Sequence, residues 1–228
     1  MQLYSTFAPW WSVLTPEGTY DLEAEFFCAL LGTDIESIME LGSGIGAMAS
    51  SFPSHLRCVL VDQSVHMIEQ SKLRNPQATH ICASVQDVFL EEKVDAVLIH
   101  DAVMYMDTLQ KLREMFLCAY RHLNPGGCVL VVPDVVFETF EEHSLSGGAN
   151  DGNRAIQVLE WHWRPDLEKK SYQVEFSVLT RENGVVSSHH ESHTLGLYRI
   201  EEYSQVLQDV GFSILEIEED GRYFLAKK

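Results

Sequence analysis

A glycine-rich turn at the end of a short apolar run constrains this chain more than any other feature. Residues 35–46 read Ile-Glu-Ser-Ile-Met-Glu-Leu-Gly-Ser-Gly-Ile-Gly, so that Glu40 precedes Gly42, Gly44 and Gly46. Glycine permits positive φ angles and lets a ligand approach the main chain closely. A helix after such a turn would direct free N–H groups at that ligand. The pattern therefore predicts a strand, a tight turn and a helix that together hold a nucleotide.

Two kinds of nucleotide site are compatible with this turn. Gly42, Gly44 and Ala47 also satisfy the G-x-G-x-x-G/A fingerprint of dinucleotide-binding proteins. Asp62 closes the next apolar run, at residues 57–62, where an acid can bind the two hydroxyls of a ribose. The remainder of the chain has to show whether the ligand is a dinucleotide or another nucleotide-like cofactor.

Composition limits the class of protein. A chain of 228 residues with 46% hydrophobic content predicts one domain, residues 1–228. The formal charge of −18 argues against nucleic acid or membrane partners and is compatible with a small, even cationic, molecule, although solubility alone explains it too. There is no apolar run near 18 residues and no basic-then-apolar leader, so we expect a cytoplasmic protein. Five separate cysteines are expected to be reduced thiols.

The first half of the chain alternates strands and helices. Residues 1–33 predict an aromatic cap followed by a helix over 20–31, whose apolar stripe includes Leu22 and Phe26. Ser64 and either Asp107 or Thr108 are expected to begin two further helices. Short apolar runs predict parallel strands at 35–40, 57–62, 78–82, 94–99 and 127–133. This order indicates an open, doubly wound α/β sheet.

The periodicity changes after residue 133. Residues 134–156 predict a loop, even a lid, because the segment is rich in turn formers. The runs 157–164, 171–181 and 185–198 alternate in the sense of strands and predict an antiparallel meander, so that 134–198 forms an insertion. A helix over 200–210 and a hairpin formed by 212–219 and 222–226 close the chain.

These features together resemble the class I S-adenosylmethionine-dependent methyltransferases. The resemblance rests on the acid-x-Gly-x-Gly-x-Gly motif beginning at Glu40, on Asp62, on the Leu123-Asn-Pro-Gly-Gly127 turn and on the closing hairpin. Within that class the chain is most similar to small-molecule enzymes such as the amino-sugar N,N-dimethyltransferases of macrolide biosynthesis, through local echoes at 133–140 and 193–203. It implies a Rossmann-like seven-stranded sheet, and methyl transfer to an N or O atom of a small molecule.

The resemblance also implies a set of cofactor contacts. Gly42 and Gly44 would hold the methionine end of S-adenosylmethionine, Glu40 would lie beneath its ammonium group, and Asp62 would bind the ribose hydroxyls. The adenine would lie beside Gln63 and beside Ser84-Val85, where Ser84 stands in the place of a usual acid and Asp87 could take over its contact. Tyr20 and His100 complete the expected cofactor-binding residues.

Catalytic and acceptor-binding residues are expected at the end of the fourth strand and on facing segments. His100 would face the sulfonium, as general base or through its backbone alone, with Asp101 and Tyr105 on the substrate side. Relatives carry an N-terminal tyrosine near the methyl group; Tyr4 and Tyr20 are available, but the aligned place holds a tryptophan. The expected acceptor-binding residues are Tyr4, Trp11, Asp134 and His193.

Alternatives stay open. His189, Glu191 and His193 alternate on a strand and could form a two-histidine, one-carboxylate metal site, but one strand does not supply converging geometry and no metal is predicted. Trp161-His-Trp163 predicts sheet packing, with His162 on the opposite face. The rival functions are an NAD(P)-dependent oxidoreductase and a non-catalytic S-adenosylmethionine-binding protein. Whether the meander walls the acceptor site or forms a homodimer is also left open.

Overall fold

The computed structural model describes residues 1–32 and 34–228. Its helices are α1 (Trp11–Leu14), α2 (Asp21–Leu31), α3 (Val65–Arg74), α4 (Leu109–His122) and α5 (Ile200–Val210). Its strands are β1 (Ser37–Leu41), β2 (Arg57–Asp62), β3 (Thr79–Cys82), β4 (Val94–His100), β5 (Leu123–Val132), β6 (His143–Asn150), β7 (Arg154–Trp163), β8 (Ser171–Glu182), β9 (Val185–Gly196), β10 (Ser213–Ile217) and β11 (Phe224–Lys227). None of the helices in this part of the chain is both long and apolar enough to cross a bilayer.

Seven strands form one sheet in the order β10-β11-β5-β4-β1-β2-β3. Strands β1 to β5 run parallel, whereas β11 runs antiparallel to both β5 and β10. The predicted doubly wound sheet with a closing antiparallel hairpin is therefore confirmed. Pairing of β5 with β4 stops after Leu123 and resumes at Cys128, so residues 124–127 bulge out of the strand. The predicted Asn-Pro-Gly-Gly turn is this bulge.

Helices cover both faces of this sheet. The side chain of Phe116 on α4 is buried on one face, and α2 buries Ala24, Phe27 and Leu31 on the other. The stripe predicted for α2 was partly wrong, because Leu22 is 84% exposed. A helix turns about 100° per residue, and Leu22, five positions before Phe27, therefore lies well away from the buried face. The predicted N-caps are confirmed for α3 and α4, where Ser64 and Thr108 accept backbone N–H groups.

A separate four-stranded sheet has the order β6-β7-β8-β9, with all neighbours antiparallel. It confirms the predicted meander but adds β6 to it. The loop predicted at 134–156 was therefore wrong over 143–150 and 154–156, whereas 134–142 and 151–153 are loops. Propensity disfavours a strand in Ser146-Gly-Gly148, but continuous pairing with β7 holds the segment extended. A Cβ at Gly148 would lie 2.4 Å from the Ile156 carbonyl oxygen, so the close approach of β7 requires glycine there.

The N-terminal segment, residues 1–20, contacts both sheets. Leu3 is buried in a cluster with Ile156 of the four-stranded sheet. Ala8 is buried with Ile45, which follows the glycine turn of the seven-stranded sheet. The expectation that this aromatic segment is packed is confirmed, and its position closes one side of the space between the sheets.

Candidate active site

A cavity of about 900 Å³ opens where the two sheets and the N-terminal segment meet. The carboxyl ends of β1, β2 and β4 reach it, which is where open α/β sheets bind ligands. All the site residues named from the sequence lie in its wall: Tyr4, Trp11, Tyr20, Glu40, Gly42, Gly44, Asp62, Gln63, Ser84, Val85, His100, Asp101, Tyr105, Asp134 and His193.

The glycine turn forms the floor of the cavity. Gly42 has a φ of 80°, and a Cβ there would lie 2.2 Å from the Cβ of Ala102, so no larger residue fits. Gly44 has a φ of 54°, and a Cβ there would meet nothing within 4 Å. The main chain at Gly44 is therefore open to a ligand, as a nucleotide cradle requires.

The helix predicted after this turn was wrong. Residues 42–48 form successive turns, followed by a 3₁₀ helix at Ala49–Ser51. Pro53 explains the early end, because a proline disfavours helical conformation in the preceding residue and Phe52 is extended. The cradle consequently consists of turn backbone rather than of a long helix N-terminus.

Glu40 lies beneath the turn with one carboxylate oxygen unsatisfied. Its side chain is buried, and Oε2 has no hydrogen-bond partner among the residues that the structure describes. Burial raises its pKa to about 8, and the charges of Asp101 and Asp62 add to this effect. A buried acceptor without a partner is costly unless a ligand satisfies it. The ammonium group of S-adenosylmethionine fits this requirement.

Asp62 lies beside the turn at the end of β2. Its Oδ2 accepts the N–H of Gly44 at 2.9 Å, and its Oδ1 accepts the N–H of Ser64 at 2.8 Å. Burial raises its pKa, while these two hydrogen bonds lower it. Each oxygen keeps acceptor capacity, which fits a ribose diol. Farther along the wall, the Ser84 hydroxyl donates to Asp87 at 2.7 Å, so the two residues form one polar edge.

His100 lies between two carboxylates at the end of β4. Its Nε2 is 3.3 Å from Oδ1 of Asp101 and 3.5 Å from Oε1 of Glu23. Its ring packs edge-on against Tyr20 and Phe27. The ring nitrogen at this edge of the cavity is therefore within contact distance of two acids.

Asp101 and Asp134 form a hydrogen-bonded acid pair. Burial raises the pKa of Asp101 to about 6 and raises that of Asp134 well above its ordinary value, to which the charge of Asp101 contributes. Two adjacent carboxyls of this kind share one proton, because like charges in contact disfavour double ionisation. Asp101 also has a φ of 54°, a strained conformation that its N–H bond to the Val132 carbonyl, at 2.9 Å, helps to hold.

A chain of hydrogen bonds crosses from the second sheet to the N-terminal segment. Nε2 of His193 lies 2.8 Å from Oε1 of Glu191, and its Nδ1 lies 2.8 Å from the Tyr105 hydroxyl, which contacts the Tyr4 hydroxyl. Because the carboxylate only accepts, Nε2 carries the proton and Nδ1 accepts from Tyr105. The Tyr105 hydroxyl also shares a hydrogen bond with the Tyr4 hydroxyl. Burial raises the pKa of both phenols, so both stay protonated.

Glu191 anchors the start of the chain. Its Oε2 accepts the backbone N–H groups of Gln2 at 2.7 Å and Leu3 at 3.2 Å and also contacts His189 at 3.2 Å. Burial alone would raise the pKa of Glu191, but hydrogen bonds from His193, His189 and these N–H groups outweigh it and lower the pKa to about 2. The three alternating residues do face one way, as predicted. Among the residues described, no three potential ligands converge as at a metal site.

Sequence reasoning missed two residues of the wall. Glu160 and His162 on β7 line the cavity, and His162 Nε2 lies 3.0 Å from Glu160 Oε2 while its ring stacks on Tyr172. The alternation of Trp161 and Trp163 correctly placed His162 on the face opposite the two tryptophans, but it did not indicate which face is the inner one. What that face meets depends on how the second sheet docks, which no local pattern encodes.

Comparisons with known proteins agree with this geometry. Residues 39–131 match the family described as "Methyltransferase domain". The chain is 25% identical over 181 residues to dTDP-4-amino-2,3,4,6-tetradeoxy-D-glucose N,N-dimethyltransferase of Saccharopolyspora spinosa, covering 78% of this chain and 72% of that protein. Two solved structures share the fold. DesVI of Streptomyces venezuelae has a TM-score of 0.85 at 21% identity, covering 97% of both chains. CalS10 of Micromonospora echinaspora, an S-adenosylmethionine-bound amino pentose methyltransferase, has a TM-score of 0.79 at 18% identity, covering 98% of this chain and 96% of that one.

The oxidoreductase alternative finds no support in these matches. The matched segment contains the glycine turn, Glu40 and Asp62, which are the groups that fit the cofactor. The matched family, the relatives named as N,N-dimethyltransferases and the fit of the cavity to S-adenosylmethionine all agree with an S-adenosylmethionine-dependent methyltransferase.

Proposed function

We propose that this enzyme methylates the amine nitrogen of a small molecule that binds beside Asp101 and Asp134. The observation that carries the proposal is this acid pair, which lies in the cavity wall beyond the glycine turn. A carboxyl with a pKa of about 6 can take a proton from an ammonium ion, whereas an alcohol would need a much stronger base. Relatives named as amino-sugar N,N-dimethyltransferases support the choice of nitrogen.

We assign the cofactor to the side of the cavity formed by β1 and β2. Glu40 would hold its ammonium group, Asp62 its ribose, and the edge formed by Ser84 and Val85 its adenine, with Gln63 alongside. When bound, S-adenosylmethionine supplies a methyl carbon whose bond to a sulfonium breaks, with both electrons leaving on sulfur, as a nucleophile adds. The protein's task is then to hold the nucleophile in line and to keep water out, and such positioning accounts for a large part of many rate enhancements.

The acceptor side prepares the nitrogen. In this proposal the arriving cationic acceptor displaces the shared proton of the Asp101–Asp134 pair to solvent. The ionised carboxylate then accepts one proton from the bound ammonium, which leaves a lone pair on nitrogen. The Tyr4 oxygen, which shares a hydrogen bond with the Tyr105 hydroxyl, accepts an N–H of the acceptor and fixes its orientation. His193 is a positioning residue in this scheme, because its Nδ1 accepts the hydrogen bond of the Tyr105 hydroxyl and so fixes the orientation of that hydroxyl. His100 contacts Asp101 through its Nε2 and helps to hold that carboxyl in place.

The wider setting is part of the proposal. We place the enzyme in the cytoplasm, because its five free thiols suit a reducing compartment. We treat residues 1–228 as one methyltransferase domain that acts on small molecules and not on nucleic acid.

A homodimer through the outer face of the meander is supported by Leu159, Trp161 and Leu179, which are 49%, 56% and 48% exposed there. Light scattering of Trp161→Glu beside the unaltered protein tests the dimer, and an unchanged mass would refute it.

The first test is calorimetric titration with S-adenosylmethionine and S-adenosylhomocysteine, with NADH as a control. Both sulfur ligands should bind and NADH should not.

The second test incubates the enzyme with S-adenosylmethionine and a panel of amino sugars, polyamines and alcohols. Mass spectrometry should then detect methyl groups added to amines only. Asp101→Ala and Asp134→Ala should lose turnover while binding S-adenosylhomocysteine as before. Retained turnover in both variants would refute the role of the acid pair.

A further inference from the structure

The cavity wall is acidic. Six carboxylate side chains line it, and the only lysine or arginine among the described residues of the wall is Lys111. That lysine is already paired with Asp107 at 2.7 Å. The carboxylates are Glu40, Asp62, Asp101, Asp107, Asp134 and Glu160. A bound S-adenosylmethionine, with two positive groups and one carboxylate, offsets only part of this charge.

The acidic excess on the acceptor side is not satisfied internally. Asp101 raises the pKa of its neighbour Asp134, whose hydrogen bond in turn lowers the pKa of Asp101, and Glu160 adds a third negative charge near Asp134. Behind them, outside the cavity wall, lies the Tyr172 phenol, which is 1% exposed. Carboxyls clustered in this way in a cavity wall indicate a place that a positively charged ligand completes.

Aromatic rings form the rest of the acceptor side. Tyr4 and Trp11 stack with their ring centres 5.9 Å apart, and both lie in the wall together with Phe176. Cations bind to the faces of aromatic rings, and alkylated ammonium ions do so especially well because they are weakly hydrated. The same wall would therefore bind both an amine and its methylated product.

We propose that the acceptor is a phosphate-free cationic amine, held as an ammonium ion between the Asp101–Asp134 pair, Glu160 and the Tyr4–Trp11 stack. This inference rests on the proposed function and narrows its substrate class. It separates this chain from the relative whose name specifies a dTDP-linked sugar. A diphosphate entering this cavity would meet carboxylates and find one lysine, already paired, whereas phosphate recognition ordinarily relies on arginine and lysine.

The experiment titrates enzyme saturated with S-adenosylhomocysteine, so that the cofactor's own ammonium site is filled. The probes are tetramethylammonium and thymidine diphosphate, followed by calorimetry. Tetramethylammonium should bind with a Kd of about 1–10 mM, as one cation against aromatic and acidic groups does. Thymidine diphosphate should bind more weakly than tetramethylammonium. The double variant Asp101→Asn/Asp134→Asn, which removes the negative charge of the pair, should weaken tetramethylammonium binding by at least about fivefold, which is the loss expected of one charge contact.

Glu141→Gln is the matched control, because it removes one negative charge at an exposed position outside the cavity wall. It should leave the Kd of tetramethylammonium unchanged. The inference is overturned if thymidine diphosphate binds more tightly than tetramethylammonium, if tetramethylammonium does not bind, or if both variants weaken it equally. If S-adenosylhomocysteine still binds in those cases, only the substrate class is refuted and the proposed methyltransferase function is not. Failure of S-adenosylhomocysteine to bind overturns the proposed function, and the inference with it.

Discussion

Glu40→Gln should make the ligand-free protein more stable and its cofactor binding weaker. The pKa of Glu40 is about 8 in the folded protein, against an ordinary value of 4.5. The folded state therefore holds this proton more tightly than the unfolded chain does. The carboxyl costs nothing below about pH 4.5, and its cost grows by about 1.4 kcal/mol per pH unit up to about pH 8. At pH 7 the cost is about 3 kcal/mol. Glutamine cannot ionise, so the Glu40→Gln variant does not carry this destabilisation.

The same shift predicts how cofactor affinity depends on pH. An ammonium ligand requires the ionised carboxylate. Below pH 8, part of the free energy of binding is therefore used to remove the proton from Glu40. That cost is about tenfold in affinity at pH 7 and about a hundredfold at pH 6. Affinity for S-adenosylhomocysteine should therefore rise about tenfold from pH 6 to pH 7 and level off near pH 8, where the ligand's own α-amino group begins to deprotonate. Glu40→Gln should bind weakly and lose this dependence.

Two measurements check these numbers. Urea unfolding of the ligand-free proteins should give Glu40→Gln a stability advantage of about 3 kcal/mol at pH 7 and less than about 1 kcal/mol at pH 5. Calorimetry in buffers of different ionisation enthalpy should record the release of nearly one proton per ligand bound by the unaltered enzyme at pH 7. An affinity that is flat between pH 6 and pH 7, or a destabilised Glu40→Gln, would refute the assignment of a buried, protonated Glu40.

Three further predictions address other parts of the molecule. Asp62→Ala should weaken S-adenosylhomocysteine binding by more than about a hundredfold in calorimetry, because it removes a carboxylate placed to accept two ribose hydroxyls; a loss of less than tenfold would contradict that contact. Tyr4→Phe should lower kcat by about tenfold with an unchanged Kd for the cofactor, since it deletes the oxygen that faces the acceptor, and an unchanged kcat would contradict the role. Phe116→Ala should cost about 3–5 kcal/mol in urea unfolding because Phe116 is fully buried between α4 and the sheet; a cost below about 1 kcal/mol would contradict this packing.

The cofactor side of the site was predictable because its residues follow strands in a fixed order. Glu40 belongs to β1, Asp62 ends β2 and His100 ends β4, and parallel strands deliver their carboxyl ends to one edge. Local sequence could therefore place these side chains without knowledge of any distant contact. The helix expected after Gly46 failed for an equally local reason, the proline at position 53.

The acceptor side was predictable only in part. Alternation correctly paired His189 with Glu191 and His193, but it could not reveal that Glu191 binds the backbone of Gln2, which is 189 positions away. Nor could it place Glu160 opposite Asp134, because the docking of one sheet on another depends on the whole fold. Strand β6 was missed for the same reason, since its pairing partner, and not its composition, holds it extended.

The division of the cavity between two sheets has a consequence for how such an enzyme can diversify. The groups that fit the cofactor belong to the seven-stranded sheet, whereas Glu160, His162 and Val174 project from the meander, a contiguous stretch of chain. Mutations at those inward positions can accumulate, or the whole meander can be exchanged between relatives, while the cofactor contacts remain intact. A library restricted to these three positions, screened with one amine after another, is therefore a compact route to new methylation catalysts.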